Sequence, residues 1–382
     1  MYMRNKNLLD DFSFTRNLSP STIKLYESAI KQYTKFCNKD MESLIIEAEE
    51  DEEQRKLWKN RRIKKRLMKF RVFLFKNYLE KTAKMYFQLI LTVYRHYDVE
   101  LQRLPNISDK NTNKSEPIQY SDLPDKQIIE KALNIANIRS RAIIFFMVST
   151  GCARMETSNI TINQYVEATD NYHDSDNIYD VLDELKNRDD VVPTFRICRQ
   201  KTKKFYITFC TPEAVDSINN YLVSYSQKLN GEDKLFHASP RYINYVFATL
   251  NERLMLGKKG SFNRFRPHMI RKFNASCLHN DGMSIDYIDA LQGRVRSSVH
   301  QSYFFDNPEK LKEEYIEHMG AVTIEWNCRN LTFKSKEFLE LEKDNVEKTK
   351  MLSDVVNRLE EVESYVFSDF SRKEMEDMRK FV

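Results

Sequence analysis

Apolar residues recur at three- and four-residue intervals through most of this chain, a period that dictates amphipathic helices. Ile23, Tyr26, Ile30, Tyr33 and Phe36 form one stripe, preceded by Ser19 and Pro20, which supply an N-cap and an early-helix proline. Leu67, Phe70, Phe73, Leu74 and Tyr78 make a second stripe, and Phe87, Ile90, Val93 and Tyr97 a third. Only 7 Gly and 9 Pro occur in 382 residues, too few for the turns of an all-β protein, while 24 Phe and 20 Tyr provide material for a core. The expectation is a mainly α chain (α+β), too long for one core and therefore divided into domains.

The polar, aperiodic stretch from Pro105 to Pro124 reads as a linker. It separates a helical domain over residues 1–105 from a second domain over 122–330, with the linker itself at 106–121 and a charged helical tail at 331–382. In the second domain the pattern predicts helices at about 125–137, 138–150, 212–228, 239–256, 267–280 and 283–291. Between them, Thr194 to Arg199 and Phe205 to Phe209 alternate β-branched and aromatic residues around a charged turn, which predicts a β-hairpin. The acidic stretch from Glu167 to Asp190 reads as a solvated insertion. In the tail, Leu352, Val355, Leu359, Val362 and Val366 are spaced as a short coiled-coil or docking seam, or as a helix packed on its own domain.

Charge and cysteine usage narrow the function classes. A net charge of +5 averages over an uneven distribution, with the strongest basic block at Arg61, Arg62, Lys64, Lys65 and Arg66. Such a block suits phosphate neutralisation along DNA, or simply a solvated helix face. No apolar run approaches the roughly 20 residues of a membrane span, and the first residues lead into no signal-peptide core, so a soluble, cytoplasmic protein is expected. The six cysteines are scattered without a CxxC pair, which suggests buried free thiols rather than a disulfide framework or a metal site.

Three short segments in the second domain, taken in order with the hairpin, carry the chemistry. They are Thr150-Gly151-Cys152-Ala153-Arg154-Met155-Glu156, then Arg266-Pro267-His268-Met269-Ile270-Arg271, then Leu291-Gln292-Gly293-Arg294 followed by Tyr303. A proline and histidine at a helix start, with arginine three residues on, place His268 and Arg271 on one face. Each segment alone is common; their order within about 150 residues is not. Together they resemble the arginine box, the His-x-x-Arg box and the Gly-to-Tyr box of the tyrosine recombinases, or phage integrases. The resemblance covers roughly residues 125–315, and Ser19 to Tyr26 is similar to the start of that family's core-binding domain. Gly-Arg-Val-Arg at 293–296 and Asn307-Pro308-Glu309 look most like integrases of archaeal viruses and plasmids. One departure stands out: Arg294 occupies a place usually held by His or Trp.

The resemblance implies site-specific DNA recombination, the integration or excision of a mobile element, through a 3′-phosphotyrosine and without metal, ATP or other cofactor. The implied partners are double-stranded DNA attachment sites and three further copies of the chain, with a monomer or weak oligomer when free and no membrane contact. A phosphodiester resists attack because its anionic oxygens repel nucleophiles and its alkoxide leaves poorly. Arg154 and Arg271 would hold the non-bridging oxygens by paired hydrogen bonds. Tyr303 would attack phosphorus, and His268 would take the proton that a phenol of ordinary pKa, about 10, still carries at neutral pH. A hairpin lysine supplies the general acid in this family; Lys201 fits best, with Lys203 and Lys204 as competitors, and Arg294 would be an extra donor. Two alternatives remain: a type IB topoisomerase, which shares the chemistry but relaxes supercoils without exchanging partners, and a DNA-binding regulator that keeps the fold without catalysis.

Overall fold

The computed structural model describes residues 2–106, 116–186, 188–294 and 307–325, together with Lys348, Met351, Leu352, Val355 and Arg358. It is mainly helical with a small antiparallel sheet, as the spacing predicts. The chain divides into two compact units, Met1–Pro117 and Ile118–Val382.

The first unit is built of α1 (Tyr2–Thr15), α2 (Pro20–Cys37), α3 (Met41–Glu53), α4 (Arg62–Asn77) and α5 (Glu80–His96). Helix α2 starts where its sequence says it should: Ser19 Oγ accepts the Thr22 amide at 3.3 Å, with Pro20 in the first turn. Tyr26, Ile30 and Tyr33 on one face are buried, and the Tyr33 and Tyr94 hydroxyls meet at 3.0 Å between α2 and α5, so neither polar tip is stranded in the core.

The basic block in this unit is not the free cationic surface expected from sequence. The acidic residues before it form α3, and the two charge runs neutralise each other across the α3–α4 contact. Arg61 donates to Glu52 at 2.6 Å and to Glu100 at 3.3 Å, Arg62 to Glu50 at 2.8 Å and Asp51 at 3.0 Å, and Arg66 to Glu47. Asp51 is fully buried and also accepts the Arg62 amide and the Lys56 ammonium, so it caps α4 while drawing the block inward. Only Lys64 and Lys65 of the five have no hydrogen bond or ion pair among the described residues.

The second unit comprises α6 (Lys126–Ile135), α7 (Ile138–Thr150), α8 (Arg154–Thr157), α9 (Ile162–Ala168), α10 (Ile178–Glu184), β1 (Thr194–Cys198), β2 (Phe205–Phe209), α11 (Pro212–Val223), α12 (Pro240–Arg253), β3 (Lys258–Lys259), β4 (Phe262–Asn263), α13 (Pro267–Asn280), α14 (Ile285–Leu291) and α15 (Pro308–His318). Helix α7 is its axis. Every residue from Ala142 to Thr150 is buried, because α11 and α13 pack on different sides of it, and a helix apolar all round has no solvent face to offer. Strands β1 and β2 pair antiparallel from Thr194 opposite Phe209 to Cys198 opposite Phe205.

The acidic stretch at 167–190 differs from the solvated insertion expected. Its carboxylates do face outward, Asp174, Asp176 and Asp180 being exposed, yet Tyr172, Ile178, Val181, Leu182 and Leu185 are buried in the main core. The density of Asp hid an amphipathic helix, α10, whose apolar positions recur at three and four residues. Two of the cysteines, Cys152 and Cys210, are fully buried thiols, whereas Cys37, Cys198 and Cys277 are partly exposed. In the tail, Leu352 and Val355 are helical and exposed; Leu359, Val362 and Val366 lie outside the described residues, as does Cys328. No described helix is long and apolar enough to cross a membrane.

Candidate active site

The arginine box begins as a helix end. Gly151 caps α7 in the left-handed region at φ +64, its amide bonded to the Met147 carbonyl at 3.1 Å, and a Cβ there would lie 2.4 Å from Asn274 Oδ1. Chain reversal follows at once: Glu156 folds back so that its Oε2 accepts the Ala153 amide at 2.7 Å, starting α8 with Arg154 at its first position. The Arg154 guanidinium is half-buried and makes no hydrogen bond or ion pair among the described residues.

The His-x-x-Arg box starts α13. Arg266 is extended, Pro267 occupies the first turn, and the next turn turns Arg271 inward to 8% exposure. Arg271 Nη1 donates to the Gly151 carbonyl at 2.7 Å and Nη2 to the Gln292 carbonyl, while Glu156 Oε2 lies 3.8 Å from Nη1. One buried cation thus ties together the end of α7, the start of α13 and the end of α14. Two of its five N–H groups are spent on carbonyls, which locks the guanidinium plane and leaves the others to donate elsewhere.

The end of α14 is a Schellman turn. Gly293, at φ +57, donates to the Ala290 carbonyl at 2.9 Å, and the Arg294 amide to the Asp289 carbonyl at 2.8 Å. This wraps Arg294 back over its own helix, where Nη1 meets Asp289 Oδ1 at 3.1 Å and Nη2 meets Gln292 Oε1 at 2.7 Å. Gln292 is fully buried, and its Nε2 donates to the Arg271 carbonyl at 3.1 Å and to Asn274 Oδ1 at 2.8 Å. Asn274 in turn donates to the carbonyls of Val148 and Ser149, each at 2.9 Å.

The hairpin closes the site from another side. Tyr206 on β2 packs its ring on Gly293, where a Cβ would lie 2.4 Å from the nearest ring carbon, and its hydroxyl donates to Glu156 Oε2 at 3.4 Å. Arg199, at the start of the turn, donates through Nη1 to the Gly293 carbonyl. Lys201 lies in the turn, beyond the last backbone pair of Arg199 and Lys204 at 2.8 Å. Lys201 is exposed without a partner among the described residues, whereas Lys203 is left-handed at φ +55 and its Nζ meets Gln200 Oε1 at 3.3 Å.

The electrostatics follow from this gathering of cations. His268 makes no described hydrogen bond; partial burial, then the charges of Lys272, Arg266, Arg271 and Arg294, hold its imidazole below the ordinary value of 6.5. It is therefore neutral, and able to accept a proton, at physiological pH. Burial, with Cys152 and Glu156 nearby, pushes the Tyr206 phenol well up, so it stays a donor. Burial likewise raises the Cys152 thiol to about 11, which makes it inert packing.

Arg154, His268, Arg271, Arg294 and the lysine hairpin are thus held on four segments joined by the bonds just described. Tyr303 and His300 lie outside the described residues. Sequence reading missed Asn274, Gln292 and Arg199. Asn274 carried a usable signal, standing one helical turn after Arg271 on the same face; Arg199 carried none, since its side-chain partner is a carbonyl 94 residues away, and Gln292 carried little, since its Nε2 partners lie on α13. Away from the site, on α15, Glu314, Glu317 and His318 offer ligand atoms within 4.8 Å of one another, and His318 Nδ1 also meets Asp281 at 2.9 Å. They share no residue with the four segments.

Gly293 provides a direct test of this packing. We expect Gly293→Ala to destabilise the protein by about 2–4 kcal/mol, roughly 1–2 from the left-handed backbone and the rest from overpacking on a flat ring that cannot fold aside. Thermal unfolding measures it, and an unchanged midpoint would contradict the Gly293–Tyr206 contact.

No protein family model matches the chain. No curated protein matches it either. Among solved structures, it is similar to XerA recombinase, at 18% identity and a TM-score of 0.34 over 83% of this chain and 99% of that one. It is also similar to a lambda integrase tetramer bound to a Holliday junction, at 13% and 0.47 over 80% and 77%. A third likeness is to the Tn1549 transposon integrase in complex with circular intermediate DNA, at 13% and 0.45 over 79% and 94%.

Proposed function

We propose that this chain is a tyrosine site-specific recombinase that cleaves and rejoins duplex DNA through Tyr303. The observation that carries the reading is the Arg271 bridge, which binds the Gly151 carbonyl to the Gln292 carbonyl and so unites segments 141 residues apart around a group of cations. Structural convenience alone would fill such a junction with apolar side chains, since burying a charge is costly. Arg271 and Arg294, whose charges both act on His268, would with Arg154 suit an anion whose charge grows in the transition state.

In this reading the Tyr303 oxygen bonds to phosphorus as its phenolic proton passes to neutral His268. The bond from phosphorus to the 5′-oxygen breaks, and the Lys201 ammonium gives that oxygen its proton. The 3′-phosphotyrosine conserves the energy of the broken linkage, and the reverse sequence with a new 5′-hydroxyl rejoins the strand. Four copies acting on two attachment sites would exchange the strands, and the tail seam offers one means of joining neighbours. Lys64 and Lys65, left unpaired by the α3–α4 ion pairs, are the two members of the basic block available to phosphate. The Gly293-Arg294 turn and Asn307-Pro308 favour the archaeal mobile-element branch of such enzymes.

The test is covalent capture: incubate the protein with nicked duplexes of randomised sequence and recover adducts that survive denaturant. Failure to form any adduct would overturn the reading in favour of a regulator without catalysis. Adducts formed at a defined site and followed by joining to a second duplex separate a recombinase from a topoisomerase.

Acid sensitivity gives a second check. Because His268 is held below 6.5, its proton-accepting form survives to lower pH than an ordinary histidine and is lost as pH falls through that depressed value. The second-order rate of adduct formation should be flat from neutrality down to about 6.5, then fall, and His268→Gln should remove the fall. An acid limb centred above 6.5 would count against the assignment.

A further inference from the structure

We infer that Arg199 is a positioning residue for the general acid, fastening the lysine-bearing turn to the peptide unit that carries Arg294. The inference rests on the recombinase reading above and adds a residue to it.

Past the last strand pair, Cys198 with Phe205, the hairpin leaves the core: Lys201, Lys203, Lys204 and Phe205 are all exposed. A short exposed turn of this kind has few contacts to hold it in one place. Arg199 supplies such contacts, and it works twice. Its backbone closes the turn, the amide donating to the Lys204 carbonyl at 2.8 Å and the carbonyl accepting from Thr202 at 3.2 Å and Lys203 at 2.8 Å. Its half-buried side chain reaches across to the Gly293 carbonyl. That carbonyl belongs to the same peptide unit as the Arg294 amide, which is itself bonded to Asp289. Arg199 therefore connects two groups that must meet one phosphate from different directions, the Lys201 ammonium at the leaving oxygen and the Arg294 guanidinium at a non-bridging one.

A purely structural account puts the anchorage elsewhere. Tyr206 already seats the strand on Gly293 and Glu156, so the hairpin base is held without Arg199. What Arg199 adds is restraint beyond that base, two residues from Lys201. Losing it should leave folding nearly intact and let the ammonium wander by an ångström or more, and such misplacement costs about 10²-fold in rate.

The experiment uses the full chain and duplexes selected by covalent capture, prepared with either the natural 5′-oxygen or a bridging 5′-sulfur at the scissile phosphate. A thiol, with a pKa near about 8.5, leaves without a proton donor, so the sulfur substrate bypasses the general acid. Arg199→Ala should form adduct about 10²-fold more slowly on the oxygen substrate and within roughly threefold of the parent on the sulfur substrate. Lys201→Ala should show the same pattern, and Arg199→Lys, which keeps one donor, a smaller loss. If Arg199→Ala does not fold, Arg199→Gln takes its place with the same expectation. Equal slowing on both substrates, or no slowing on either, would overturn the inference. Absence of adduct from the unmutated chain on both substrates would instead remove the recombinase reading, and this inference with it.

Discussion

Tyr303→Phe will eliminate the covalent protein–DNA adduct, a loss of at least about 10⁴-fold, while leaving DNA affinity within a few-fold. The change removes one hydroxyl and no charge, so every cation available to phosphate remains. It takes away the atom that attacks phosphorus in the proposed mechanism. Denaturing gels with labelled duplex measure the adduct, and filter binding at fixed salt measures affinity. The twenty tyrosines of the chain make the control essential. Proteolysis of the adduct followed by mass analysis must find the nucleotide on the peptide containing Tyr303. An adduct that persists in Tyr303→Phe, or maps to another peptide, ends the assignment.

Arg271→Ala will have the largest effect on the protein as a whole, because the residue serves stability and, in the proposed mechanism, chemistry as well. Truncation strands the buried carbonyls of Gly151 and Gln292 and leaves Glu156 without its cation. Removing one partner from such a buried network costs about 3–5 kcal/mol. Wherever the variant remains folded, cleavage should still fall by about 10²–10³-fold, since a donor to the developing charge has gone. Denaturant unfolding and single-turnover cleavage at low temperature separate the two losses. Arg271→Lys is the informative companion: it restores charge but not the two-armed geometry, so it should regain part of the stability and little of the rate. A stable, fully active Arg271→Ala would refute the bridge as described.

Both predictions concern residues visible in the sequence, and what was visible follows a pattern. Helices with strong periodicity and local caps were legible: Ser19 and Pro20 open α2, Pro267 opens α13 and Gly151 ends α7, each because the interaction that stops or starts the helix lies within four residues. The hairpin was legible for the same reason, its alternation and charged turn being adjacent. Helix α10 was not, because its three buried apolar positions, Ile178, Val181 and Leu182, are few and stand among exposed acidic residues that dominate the stretch. The basic block misled in the opposite way. Its arginines form a free cationic run in the sequence, but folding lays α3 beside α4 and turns Glu47, Glu50, Asp51 and Glu52 toward them.

By itself, the sequence determined the helical architecture, the hairpin and the order of Arg154, the lysine turn, His268, Arg271, Arg294 and Tyr303, because caps, periodicity and spacing are local properties. Tertiary structure alone decided which cations are free and which are consumed, that Arg271 is a buried crosslink, that Gln292 and Asn274 support it, and that Arg199 reaches Gly293. The reason is physical. A hydrogen bond from a side chain to a distant carbonyl places no demand on residue type at the accepting end, since every peptide carries the same acceptor, and so leaves no mark in the sequence that another chain segment can be seen to answer.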